Sequence, residues 1–111
     1  MCSSDLIGAY GGKASPFEAK FYRKDCGATA RFSYELFLKK KDNSNETLVL
    51  RFDDNGNRSW PDNEKTLIHM RLVKPNQLHV RLLQAVRIFR QEDAALGLKV
   101  IYDYPSGTII M

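Results

Sequence analysis

His69, Arg71, His79 and Arg81 fall two residues apart in two near-copies of one pattern, Ile68-His69-Met70-Arg71-Leu72-Val73 and Leu78-His79-Val80-Arg81-Leu82-Leu83. Arginine presents a planar fork of donors that matches a carboxylate or a phosphate, and imidazole adds further hydrogen bonds. Four such side chains brought together would therefore hold a small anion. Whether they meet depends on the backbone. Each copy alternates apolar and basic residues, which is the signature of a half-buried strand, and Lys74-Pro75-Asn76 between them has turn chemistry. A hairpin with Val73 opposite Gln77 sets Leu72 against Leu78, Met70 against Val80 and Ile68 against Leu82, making one apolar face. The other face then gathers the basic residues, with Arg71 opposite His79 and His69 opposite Arg81. Directly opposed like charges destabilise a sheet, so this face calls for neutral imidazoles or a bound anion. The same pattern also describes an ordinary solvated face of an antiparallel sheet. No third metal ligand accompanies the two histidines, and no metal site is expected.

A second set combines cations with aromatic rings: Lys20, Tyr22, Arg31, Phe37, Lys39 and Arg51, all on the outward phase of the early strands. Aromatic platforms beside cations hold single-stranded nucleic acid by base stacking and phosphate attraction. Glu18, Glu35 and Asp53 interleave with these cations, and no recognised nucleic-acid motif accompanies them. For nucleophilic catalysis the inventory is Cys26 with His69 and His79, and nothing local activates the thiol. The acidic residues sit mainly in turns rather than in pairs on one apolar face. The expectation is a binding protein with no cofactor, not an enzyme.

The elements that must position these residues read mostly as strands. Phe17 to Arg23 alternates with Phe17, Ala19 and Phe21 inward, and Arg31 to Lys39 puts Phe32, Tyr34, Leu36 and Leu38 on one face. A polar loop from Lys40 to Glu46 leads into Thr47 to Asp53, with Leu48, Leu50 and Phe52 on one side. Asn55-Gly56 is the type I′ signal of a tight hairpin, with a short strand through Arg58-Ser59-Trp60 expected after it. Beyond Leu83 two readings compete. As a strand, Val86 and Ile88 continue the apolar face and Arg87 joins the basic one; as a helix over about 76–96, Leu78, Leu82, Ala85, Val86, Phe89 and Leu96 form one stripe. Val80 and Ile88 fit only the strand, which is preferred to about Arg90, followed by a loop or one helical turn through Glu92 to Ala95. Leu98 to Tyr104 alternates again, and Pro105-Ser106-Gly107 turns the chain into a terminal strand. About seven or eight strands at roughly ten-residue intervals predict a mainly β fold, an antiparallel barrel or sandwich. The alternative is an α+β arrangement with one helix.

The chain has 111 residues, enough for one domain and one core. Seventeen Lys and Arg against thirteen Asp and Glu give a net charge of +4, which favours anionic partners without identifying one. No apolar run approaches the roughly 20 residues that span a bilayer, so a soluble protein is expected. Two cysteines, Cys2 and Cys26, are too few for a disulfide framework, making a reducing, cytoplasmic location the default expectation. Nothing sets an oligomeric state. Cys2-Ser3-Ser4-Asp5-Leu6 is the peptide that one reading frame of a common sequencing-library adapter encodes. Residues 1–6 are therefore expected to be a non-native leader, and 7–111 the β-rich domain. The apolar, β-like ending Thr108-Ile109-Ile110-Met111 suits a fragment of a longer protein with an interaction role.

The hairpin order, the Asn55-Gly56 turn and the Tyr-rich closing strand around Tyr102 and Tyr104 resemble the calycin, or lipocalin-like, small-ligand barrels. That resemblance implies an interior able to take a small, partly apolar ligand, with inward basic groups meeting its anionic end. Three functional expectations stand: a binding domain for a small, partly apolar anionic ligand, a single-stranded nucleic-acid module, or an interacting piece of a larger protein.

Overall fold

Alternation in the first half of the chain becomes an antiparallel meander. The computed structural model describes residues 3–11, 16–25, 33–54, 63–74 and 76–111. The Asn55-Gly56 turn, the strand expected at Arg58-Ser59-Trp60, and Cys26, Arg31, Phe32 and Pro75 lie outside the described residues. The meander runs through β1 (Ser3–Tyr10), β2 (Phe17–Asp25), β3 (Ser33–Lys40) and β4 (Thr47–Asp53). A single 3₁₀ turn, Glu64–Leu67, then leads into β5 (Ile68–Lys74), β6 (Gln77–Leu82), β7 (Arg87–Gln91), β8 (Ala94–Ala95), β9 (Leu98–Asp103) and β10 (Ile109–Ile110). One sheet has the order β1-β2-β3-β4-β7-β10 and the other β5-β6-β9-β8. They face each other as a sandwich and do not close into a barrel, so the lipocalin-like resemblance stops at alternation and turns. No α-helix occurs among the described residues. The helical alternative over 76–96 gives way to β6, β7 and β8, because Val80 and Ile88 are both buried, as only the strand phase allows.

The core fills the space between the sheets. Phe21, Tyr34, Leu36, Leu38, Leu50 and Phe52 come from one side, and Ile68, Leu78, Val80, Leu82, Leu98 and Val100 from the other. Phe21, Tyr34 and Phe52, on three adjacent strands, stack as a triad with ring centroids 5.3–5.9 Å apart. One expected inward residue is corrected. A bulge between β3 and β4 pairs Leu36 with Leu50 but Phe37 with Leu48, leaving Val49 as the extra residue. Val49 is buried while Leu48 lies half-buried beside Phe37 on the outer face, because a bulge shifts the side-chain phase by one.

β1 was not expected as a strand. Its Ser3 to Leu6 pair with Asp25 to Tyr22 of β2, and a bulge at Ile7 then brings Gly8 opposite Phe21. Two pairings are parallel, β6 with β9 and β7 with β10. Parallel neighbours need a crossover, and here the connection crosses to the other sheet and back: the chain leaves β6, forms β7 in the first sheet and returns as β8 and β9. β8 and β9 are joined through Leu96 (φ 55°) and Gly97 (φ 79°), both left-handed as a two-residue I′ turn requires. Leu96 tolerates this strained backbone because its side chain packs against the core.

Tyr102 clamps the two sheets. Its hydroxyl, carried by β9, donates toward the carbonyls of Val49 in β4 (3.0 Å) and Glu92 (2.8 Å). Burial, helped by the charges of Asp93 and Glu92, pushes this phenol well above its ordinary range. A pKa raised in the folded state stabilises the protein below the unfolded value of about 10 and is lost as pH climbs past it. Tyr102→Phe is therefore expected to cost about 1–2 kcal/mol at neutral pH. The variant should also show a shallower loss of stability above about pH 10 than the parent. Urea midpoints at the two pH values check both statements.

Candidate functional site

The hairpin of β5 and β6 brings the four candidate residues together in the expected register. Arg71 pairs with His79, His69 with Arg81, Met70 with Val80, Leu72 with Leu78 and Ile68 with Leu82. The loop end differs by one residue: Lys74, not Val73, pairs with Gln77, and Val73 becomes the extra residue of a bulge. Leu78, Val80 and Leu82 point into the core, which fixes the opposite phase outward. His69, Arg71 and Arg81 are exposed and His79 is half-buried, so the basic set faces out from the sandwich rather than into it.

On that outer face the four side chains, with Asp103, line a shallow open depression of about 160 Å³. Asp103 stands opposite Arg81 and Ile101 opposite His79 because β9 lies beside β6. Neither neighbour could be read from local alternation. The signal was the matching phase of β9, but which strand it flanks is a tertiary fact. Arg71 and Arg81 occupy one diagonal of the hairpin, where side chains roughly 7–8 Å apart at their bases can reach a common centre. Among the described residues neither arginine makes an ion pair or a side-chain hydrogen bond, and neither does Asp103. The two histidines and Asp103 do not form a metal-ligand group.

The cations of the other sheet are in a different state. Lys20 lies 4.0 Å from Glu18 and 3.6 Å from Glu46, and Tyr22 donates to Glu46 at 2.9 Å. Burial and the bond to Glu46 raise the Tyr22 pKa. Tyr22 and Phe37 meet edge to face at 5.5 Å, so the rings pack on each other. Lys39 donates to the Asn43 carbonyl, and Arg51 sits opposite the buried Glu35. Arg31 is outside the described residues. Arg87 does not join the hairpin's basic face as expected. The chain changes sheets between Leu82 and Arg87, which lands that side chain beside Asp53 in a two-point ion pair and over the Phe89 ring.

A second concavity opens between the sheets at one end. It measures about 140 Å³ and is half-open to solvent. Tyr10, Gly11, Phe17, Ala19 and Leu38 line it from the first sheet, facing Met70, Arg71, Leu72, Leu78 and Leu98 of the second. Gly11, at φ 150°, is needed here: a Cβ would stand 2.8 Å from the Phe17 carbonyl oxygen. The Tyr10 hydroxyl is buried with no hydrogen-bond partner among the described residues, and burial raises its pKa. The lipocalin-like resemblance implies an interior ligand space met by inward basic groups; this cleft is walled by six strands, and of the four basic residues Arg71 alone lines it.

Comparison with protein-family models, with curated proteins and with solved structures finds no match. No helix among the described residues is long and apolar enough to cross a membrane.

Proposed function

We propose that this chain is a non-enzymatic binding domain for a small, partly apolar anion, held on the outer face of the β5–β6 hairpin. The observation that carries the reading is the company Arg71 and Arg81 keep. Arg23, Arg87 and Arg90 of the six-stranded sheet are each paired with a carboxylate, whereas Arg71 and Arg81 have no ion pair among the described residues and line one depression with two imidazoles. An exposed arginine without a partner is common; two on one diagonal, flanked by hydrogen-bonding rings, form a fork for a carboxylate or phosphate. Ile101, exposed beside His79, and Leu83, exposed just beyond Arg81, add apolar surface suited to a ligand that is not purely ionic.

Titration with inorganic phosphate, followed by the imidazole NMR signals of His69 and His79, tests the site. Arg71→Gln with Arg81→Gln is expected to weaken phosphate about tenfold per arginine, the worth of one charged hydrogen bond. Unchanged affinity in the double variant rejects it. The nucleic-acid reading makes a separate demand: oligonucleotide affinity that falls steeply with salt and is lost on replacing Lys20 and Lys39. The carboxylates already paired with Lys20 argue against that outcome.

A further inference from the structure

Arg71 belongs to both concavities. It is one of the four basic residues on the outer face, and among the described residues it is also the one charged residue lining the apolar cleft between the sheets. β5 is an edge strand, so the cleft opens where that edge faces β1 and β2. Among the described residues no carboxylate lines the cleft, and Arg71 has no ion-pair partner. Charge complementarity therefore selects an anion at the mouth and an apolar group within.

The volume narrows the class. A cavity of about 150 Å³ walled by aliphatic and aromatic side chains takes one benzene ring, and this cleft offers about 140 Å³ walled by Phe17, Ala19, Leu38, Met70, Leu78 and Leu98. We infer that the cleft receives the ring of an aryl-substituted monocarboxylate whose carboxylate is held by Arg71. This rests on the anion-binding reading above and assigns the apolar half of the ligand a place.

Phenylacetate, acetate and inorganic phosphate are the probes, read on protein carrying ¹³C-methyl methionine. Met70 lines the cleft, whereas Met111 lies at the far edge of the other sheet and serves as an internal control. Phenylacetate is expected to shift the Met70 methyl and leave Met111 unmoved, and to bind about tenfold or more tightly than acetate. Ala19→Leu, which fills the cleft from β2, is expected to erase that advantage while phosphate still perturbs His69 and His79. Arg71→Gln should weaken all three probes. Phenylacetate no tighter than acetate in the parent protein, with Met70 unmoved, overturns the cleft assignment even if phosphate binds. Phenylacetate binding at Met70 without any phosphate effect on the histidines overturns the outer-face reading and leaves the cleft. The Met70 measurement needs no variant, so the inference stays testable should Ala19→Leu fail to fold.

Discussion

Replacing Phe52 with alanine is expected to cost about 3–5 kcal/mol, as deleting a fully buried phenyl ring does when the surroundings cannot collapse. Phe52 is fully buried and stacks on both Tyr34 (5.3 Å) and Phe21 (5.9 Å), with planes inclined by about 20°. Those partners sit on different strands, so neither can move into the void without breaking its own pairing in the sheet. A domain of this length has a total stability of about 5–15 kcal/mol, which the variant would reduce to a marginal value. Its thermal midpoint should fall on the order of 15 °C. Phe52→Leu, which keeps most of the volume and loses the stacking, should cost about 1–2 kcal/mol. Phe89 supplies the control, because it lies on the neighbouring strand β7 yet is exposed, with the Arg87 guanidinium over its ring at 5.1 Å. Phe89→Ala should cost under about 1 kcal/mol. Chemical unfolding of the three variants decides the matter, and equal losses at Phe52 and Phe89 would mean that the core is not centred on the triad.

That contrast between two phenylalanines marks how far local pattern reaches. The inward phase of Phe21, Tyr34, Leu36 and Leu38 and the register that sets Ile68–Leu72 against Leu82–Leu78 follow from period-two alternation, because a strand one residue out of phase would bury its charges, whereas the bulge at Val73 does not. What alternation does not carry is where an extra residue enters. Val49 replaces Leu48 in the core through a bulge in the pairing with β3. Nor does it say which sheet a strand joins. Arg87 has the phase expected for the hairpin's basic face but belongs to the other sheet, since the chain crosses between Leu82 and Arg87. The candidate anion site was legible as four residues and one register. Its outward direction, its neighbour Asp103 and the cleft sharing Arg71 depend on how the sheets pack, and local spacing holds no record of that.

The same limit applies to the 3₁₀ turn, and it gives the second large effect. Pro61-Asp62-Asn63-Glu64 reads only as a break in the pattern, yet Glu64 ties the start of the second sheet to the first. Its carboxylate accepts from the Tyr34 hydroxyl at 2.5 Å and from the Arg23 guanidinium at 2.8 Å. Arg23 also reaches Asp5 at 3.2 Å, and the bond to Asp5, then the charge of Glu64, raise its pKa. Asn63 caps the turn by accepting from the Lys65 amide, and the next residues, Leu67 and Ile68, are buried at the entry to β5. Glu64→Ala removes both charged hydrogen bonds at the point where β5 is set against the core. A loss of about 2–3 kcal/mol is expected, since hydrogen bonds to charged groups exceed neutral ones. Glu64→Gln keeps the shape and one acceptor and should recover part of that. Asp5→Asn, at the exposed end of the same network, should cost under about 1 kcal/mol. The three variants also separate anchoring from charge: if Glu64 acts only as a surface ion pair, 0.5 M salt would erase the difference between Glu64→Ala and the parent, whereas a partly buried tie is screened little. Because β5 carries His69 and Arg71, loosening this tie should also weaken phosphate at the hairpin without touching a residue that lines its depression.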